Sequence, residues 1–145
     1  MATLIDWHSH HTPPEIAEEI GKLTGKAPYI DKYDSVDFSQ RVREMDAARL
    51  DVQLVCQGAG VYADSLPAVQ AMEMVRRSND LIAERIAPYS GRLLGVIAVS
   101  MKEIAGSVKE IERMAAKGFR AVLIYPKADG DVVVDSPEVE PRYAK

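Results

Sequence analysis

Four apolar segments with strand character alternate along this chain with segments of helical spacing, and this alternation restricts the possible folds more than any other feature. The strand-like segments lie at Thr3 to Asp6, Val52 to Cys56, Leu93 to Val99 and Phe119 to Tyr125. Near-continuous apolar strands separated by amphipathic helices are typical of a parallel sheet covered by helices, so the sequence predicts an α/β fold. Functional side chains are then expected where the strands end.

The helices are predicted from apolar residues that recur on one face. They lie at Pro14 to Leu23, at Asp37 to Arg49, from a cap at Ser65 to Ile86, and at Ile104 to Ala115. Gly118 is expected to take the left-handed conformation that ends the last of them. The stretches 24–39 and 126–139 are predicted as loops at the rim of the sheet. No repeat or long interior linker interrupts this order, so residues 1–145 are predicted to form a single domain.

Composition excludes several classes of protein. The chain has 145 residues, 47% hydrophobic and 28% charged, which is the makeup of a soluble globular domain. Eighteen basic residues against 22 acidic ones give a net charge of -4, so a broad nucleic-acid-binding surface is not expected. No signal peptide or run of about 18 apolar residues is recognisable, and Cys56 is the only cysteine. We therefore expect a cytoplasmic protein with no membrane partner.

All three histidines of the chain, His8, His10 and His11, lie within the segment IDWHSHHTPPE at the end of the first strand. Side chains alternate along a strand, so Asp6, His8 and His10 are predicted to share one face, with His11 on the other. Strand rise alone places the Cα atoms of His8 and His10 about 6.6 Å apart, close enough for both imidazoles to bind one divalent ion. The pattern also occurs as an ordinary surface pair, but its position at the sheet rim favours a metal site.

Asp6 has two open interpretations. If it shares the face of the two histidines, it could orient a metal ligand from behind. It could equally be a buried structural carboxylate. His11 could be a loop residue without a role.

At this point the sequence resembles the amidohydrolase superfamily, specifically the branch related to aminocarboxymuconate-semialdehyde decarboxylase. Four segments carry the resemblance: IDWHSHHTPPE at 5–15, RVREMDAARLDVQLV at 41–55, SNDLIAERIAPYSGRLLGVIAV at 78–99 and EIERMAAKGFRAVLIY at 110–125. The resemblance implies a (β/α)8 barrel and a divalent metal, most often zinc with manganese as the alternative. His8 and His10 match the two first-strand ligands. It also implies hydrolysis or decarboxylation of a small cyclic or conjugated carboxylic acid.

The chain departs from this family in length. A (β/α)8 barrel needs about 250 residues, and the 145 residues here correspond to roughly its amino-terminal half, with four strands. The family's later ligands, a His on the fifth strand and an Asp on the eighth, have no counterpart, so catalytic residues beyond the metal pair remain unidentified. We expect either a truncated product that lacks its carboxyl-terminal half or a half-barrel that forms a homo-oligomer to cover its open edges. A third possibility is that the strands flatten into an open sheet covered by helices.

Two alternative functions remain open. The first is a non-catalytic fragment or assembly module of such a barrel. The second is a phosphoesterase of the polymerase-and-histidinol-phosphatase type, since those proteins also begin with His-x-His, although the later segments do not support it.

Other candidate sites are weaker. The run from Gly58 to Ala63 formally fits a dinucleotide fingerprint, but no helix is predicted to begin inside it. Cys56 is expected to be a small buried apolar residue rather than a nucleophile. Arg41, Arg43 and Arg49 could bind a substrate carboxylate, but on a helix they are expected to be solvated.

Overall fold

The structure is a computed structural model that describes residues 3–27, 30, 37–58, 63–125 and 137. Its elements, in chain order, are β1 (Ile5–His11), α1 (Pro14–Thr24), α2 (Phe38–Ala48), β2 (Val52–Gln57), α3 (Ala68–Ile86), β3 (Leu93–Ala98), α4 (Ile104–Ala116) and β4 (Ala121–Leu123). Short 3₁₀ helices lie at Ala63–Ser65 and Ala87–Tyr89. The predicted alternation of strands and helices is confirmed, whereas most of the two predicted rim loops lies outside the described residues.

The four strands form one sheet in the order β1-β2-β3-β4, and every neighbouring pair is parallel. Sequential strands are therefore also spatial neighbours, which is the arrangement of successive βα units in a barrel. In the described part of the chain, β1 and β4 are the two outermost strands. No helix in that part of the chain is both long enough and apolar enough to cross a membrane.

The two faces of the sheet have different surroundings. On one face, Val55, Leu93 and Ile97 pack with buried side chains of the helices, including Met45 and Ile82. The other face carries a cluster made only of strand residues, which are Leu54, Cys56 and Val96 with the partly buried Val52, Leu94, Ala121 and Leu123. We call the second the open face, because no described helix packs in its cluster. Period-two alternation along each strand produces this division.

The ends of the helices confirm one prediction and correct another. Gly118 follows α4 and has φ +100°, as expected. Glycine adopts such a positive φ easily because it has no Cβ atom. Ser65 does not cap α3, because it lies in a 3₁₀ helix and the N-cap position is Pro67, which makes no side-chain cap hydrogen bond. Pro67 fixes the extended backbone ahead of the helix in place of a capping side chain.

Candidate metal centre

The three histidines lie inside β1 rather than beyond its end, because the strand continues to His11. β1 therefore extends farther than the apolar segment Thr3 to Asp6 that predicted it. Its carboxyl-terminal part pairs with the end of β2, where His10 lies opposite Cys56 and His11 opposite Gln57. His10 and His11 are thus paired in the sheet at its carboxyl end, where parallel α/β folds place their ligands.

His8 and His10 lie side by side. Their ring centroids are 4.6 Å apart and the ring planes are inclined by 74°. Since residues paired across a parallel ladder point to the same face, the pairing of His10 with Cys56 places both rings on the open face. His8 is exposed and His10 half-buried, so both rings remain accessible from that side.

A β-bulge between Asp6 and Ser9 changes the predicted alternation. Asp6 pairs with Gln53 and Ser9 with Val55, so Trp7 and His8 together face the single residue between those partners. Gln53 and Val55 lie on the helix-covered face, and the extra residue therefore places Asp6 on that face too. The prediction that Asp6 shares a face with the two histidines is wrong, because strict alternation does not continue through a bulge.

Asp6 instead belongs to a chain of polar side chains behind β1. Its Oδ2 accepts a hydrogen bond from Gln53 Nε2 at 2.7 Å, and its Oδ1 accepts one from the backbone N–H of His8 at 3.1 Å. Gln53 Oε1 in turn accepts from Arg41 Nη1 at 3.1 Å, and Arg41 Nη2 donates to the carbonyl oxygen of His10 at 2.6 Å. Both histidines of the pair are thereby held through their backbone.

Arg41 corrects a further prediction. Its side chain is 8% exposed, whereas Arg43 and Arg49 are exposed as expected. Sequence reasoning missed Arg41 and Gln53, although their spacing held a signal. Arg41 precedes the buried Met45 by four residues, which places it on the core side of α2, and Gln53 shares the helix-facing side of β2 with Val55.

His11 has surroundings unlike those of the other two histidines. It is 5% exposed, its ring centroid lies 4.7 Å from that of Phe38, and its Nε2 is 2.9 Å from Arg85 Nη1. Arg85 also donates to Glu15 at 2.5 Å. His11 is a strand residue packed on the helix side, and it is not part of the imidazole pair.

The donor set suits one half of a metal site. Neutral imidazole nitrogen is a good ligand for divalent transition metals, and two of them on adjacent positions of one face can approach one ion. Among residues 3–27, 30, 37–58, 63–125 and 137, no group of three or more His, Cys, Asp or Glu side chains is placed to hold a metal. A catalytic metal usually has three protein ligands and one open position, so His8 and His10 supply an incomplete set.

Cys56 does not add a third ligand. It is 3% exposed, as predicted for a buried small residue. Burial raises the pKa of the Cys56 thiol, and the charge of Asp6 raises it further. In the metal-free chain the thiol is therefore protonated at neutral pH. Among the described residues, no group of three possible metal ligands includes Cys56.

The described part of the glycine run, Gly58 and Ala63, does not have the geometry of a dinucleotide site. Gly58 directly follows β2, but α3 begins only at Ala68, after a 3₁₀ helix. A dinucleotide fingerprint needs a helix that begins at the glycines. Residues 59–62 of the run lie outside the described residues.

Comparison with known proteins identifies the family. The sequence model of the family described as Amidohydrolase matches residues 5–145. The chain belongs to the amidohydrolase family. A curated relative is the gamma-resorcylate decarboxylase of Polaromonas sp. strain JS666, which is 29% identical over 86 residues, covering 59% of this chain and 26% of that protein.

Solved structures show the fold of this amidohydrolase chain. The 5-carboxyvanillate decarboxylase from Sphingomonas paucimobilis superposes with a TM-score of 0.81 at 19% identity, over 99% of this chain and 48% of that one. The dihydroxybenzoic acid decarboxylase from Polaromonas sp. JS666, solved with bound manganese and the inhibitor 2-nitroresorcinol, gives 0.74 at 21% identity, over 99% and 46%. The chain thus spans less than half the length of these proteins, and the predicted half-barrel of four parallel strands is confirmed.

Proposed function

We propose that this amidohydrolase chain supplies the amino-terminal metal-binding half of a metal-dependent decarboxylase that acts on a small aromatic carboxylic acid. The observation that carries the proposal is the pair of imidazoles, 4.6 Å apart, on the open face at the carboxyl end of β1. The relatives support the reaction class, because the proteins that this chain resembles are named as decarboxylases of resorcylate, dihydroxybenzoate and carboxyvanillate. Decarboxylation is therefore favoured over hydrolysis.

The metal is proposed to be held by His8 and His10, together with ligands from outside the described residues. When bound, a divalent ion acts as a Lewis acid that polarises substrate oxygens. Zinc was expected from the sequence, but the manganese bound in the Polaromonas decarboxylase structure favours manganese. The residues of this chain would hold the two nitrogen donors, while the apolar strand cluster on the same face excludes water from one side of the site.

The experiment measures CO₂ release from 2,6-dihydroxybenzoate and 5-carboxyvanillate by the purified chain, with and without saturating Mn²⁺. Where the chain or an oligomer of it completes the ligand set, we expect manganese-dependent CO₂ release that the double variant His8→Ala with His10→Ala abolishes. The variant Arg43→Ala, which alters an exposed residue of α2, is the control and should keep the wild-type rate. Absence of turnover at saturating Mn²⁺ would contradict an enzymatic role of this chain by itself.

A non-catalytic assembly module is the second candidate, and the incomplete donor set within the described residues favours it. In that case the chain binds metal weakly and turns over neither acid. The family match over residues 5–145 gives no support to the phosphoesterase alternative. Localisation in the cytoplasm and homo-oligomer formation stay predictions.

A further inference from the structure

A buried arginine lies directly behind the imidazole pair. Arg41 is on α2, is 8% exposed, and donates from its two terminal nitrogens to different acceptors. Nη2 bonds the carbonyl oxygen of His10 at 2.6 Å and Nη1 bonds Gln53 Oε1 at 3.1 Å. Both terminal nitrogens of the guanidinium therefore bond to the protein itself.

The chain of hydrogen bonds continues from Gln53 to the other histidine. Gln53 Nε2 donates to Asp6 at 2.7 Å, and Asp6 accepts the backbone N–H of His8 at 3.1 Å. Starting from one guanidinium, the contacts reach the backbone of His10 directly and the backbone of His8 through two side chains. All these contacts come from the face opposite to the rings.

The chain spans the β-bulge of β1. Asp6 and Gln53 form the last regular pair before the bulge, and His10 is the second paired residue after it. A bulge disrupts the local hydrogen-bond ladder, so the sheet alone does not fix the backbone between these points. Bonds from Arg41 and Asp6 on either side of the irregularity supply the restraint that the ladder lacks.

We propose that Arg41, Gln53 and Asp6 are positioning residues that fix the bulge and so keep the His8 and His10 rings aimed at one ion. The inference rests on the proposed metal-binding function of that pair. Arginine suits the task because its planar group donates in two fixed directions at once, which a lysine ammonium on a flexible stem does not reproduce. Supporting groups behind metal ligands typically change metal affinity by about 10–100-fold when they are lost.

The test compares Mn²⁺ dissociation constants of the full chain by isothermal titration calorimetry. Arg41→Met removes the hydrogen-bond donors but keeps a side chain of similar length, and Arg41→Lys keeps the positive charge. Gln53→Met removes the hydrogen bonds of β2 to Arg41 and Asp6. We expect each variant to bind Mn²⁺ about 10–100-fold more weakly than wild type. Gln53→Met should weaken Mn²⁺ binding although it changes no residue of α2. This result would exclude damage to α2 as the cause of the weaker binding.

Arg92→Met is the matched control. Arg92 also bonds backbone carbonyls, of Asp51 at 2.9 Å and Leu50 at 3.0 Å, and an acidic side chain of α2, Asp46, at 2.7 Å. It lies just before β3, at the opposite end of the sheet from the histidines. Its loss should lower the free energy of unfolding in urea but leave the Mn²⁺ dissociation constant unchanged.

A second measurement does not use the metal. In the metal-free chain, hydrogen exchange of the His8 amide, followed by NMR, should become faster in Gln53→Met and stay at the wild-type rate in Arg92→Met. If Arg41→Met, Arg41→Lys and Gln53→Met all bind Mn²⁺ with wild-type affinity, and the His8 amide exchanges at the wild-type rate, the inference is overturned but the proposed function is not. Absence of Mn²⁺ binding by the wild-type protein overturns the proposed function, and the inference with it.

Discussion

Single residues of the same type have different roles here because their neighbours differ. His8 and His10 have rings on the open face, whereas His11 is packed against Phe38 and close to Arg85 on the helix side. Among the arginines, Arg41 is buried behind β1 while Arg113 links α3 and α4 near the surface. Residue type alone therefore does not assign function, and each side chain has to be interpreted from its contacts.

Asp80 provides a prediction for the dependence of stability on pH. This α3 carboxylate accepts hydrogen bonds from Arg113 at 2.8 Å and Lys117 at 2.6 Å. Partial burial alone raises the pKa of Asp80, but the hydrogen bonds and charges of Arg113 and Lys117 outweigh it and hold the pKa below 3.8. A lowered pKa in the folded state stabilises the fold above pH 3.8, and this stabilisation is lost as the pH falls through the folded-state value.

Asp80→Asn should therefore destabilise the chain at pH 7 and much less at pH 3. Because the carboxylate is 48% exposed, solvent screening limits the loss at pH 7 to about 0.2–1 kcal/mol. Urea unfolding of both proteins at the two pH values measures the difference. An equal difference at pH 7 and pH 3 would show that the charge of Asp80 does not contribute.

At the residue scale, the imidazole pair could be predicted from the sequence, but the hydrogen bonds behind it could not. His-x-His at the end of a strand predicts two rings on one face, and the structure brings them together. The opposite face of Asp6 could not be predicted, because a bulge adds one residue without any local sequence signal that alternation can detect. The burial of Arg41 depends on tertiary contacts with β1 and β2, which helical spacing only partly indicates.

At the scale of elements, a buried amide side chain on α3 forms hydrogen bonds with the backbone at the end of β3. Asn79 is fully buried, donates from Nδ2 to the carbonyl oxygen of Ala98 at 3.0 Å, and accepts the Ala98 N–H at 2.9 Å. The same Nδ2 donates to Glu110 of α4 at 2.8 Å. One side chain thus connects two helices to the end of β3, where the backbone leaves the sheet.

Asn79→Leu should destabilise the chain strongly. The change leaves the N–H and C=O of Ala98 and a carboxylate oxygen of Glu110 without their Asn79 partner in a buried environment, and each such loss costs about 1–3 kcal/mol. We expect a total loss of at least about 2 kcal/mol in the free energy of unfolding, measured by urea denaturation. Gln70→Leu, at an exposed position of the same helix, is the control and should change it by less than about 0.5 kcal/mol. A similar small effect for both variants would contradict the role of Asn79.

The order of elements could be predicted because it depends on local patterns. Apolar runs and helical spacing gave four strands, four helices and parallel pairing. The predicted cap of α3, Ser65, is wrong. Ser65 belongs to the 3₁₀ helix that precedes α3, and the N-cap position is therefore Pro67. Helical spacing places Asn79 on the buried face of α3, but its hydrogen bonds depend on which strand end the helix meets.

At the scale of the whole molecule, the described residues form four of the eight strands of a (β/α)8 barrel, which leaves two edge strands and one open face. The strand cluster of the open face and the outer strands β1 and β4 have no described helix or strand beyond them. Exposed apolar side chains lie in β1 and directly before it, with Trp7 69% and Leu4 51% exposed. Association through these surfaces stays a prediction, which the molar mass from light scattering checks.

The central claim is that His8 and His10 bind one divalent ion. The most direct measurement is the number of Mn²⁺ ions bound per chain, determined by titration calorimetry for wild type, for the double variant His8→Ala with His10→Ala, and for His11→Gln. We predict one ion per chain in wild type and in His11→Gln, and none in the double variant. Equal binding in the double variant and wild type, or none in either, would contradict the account.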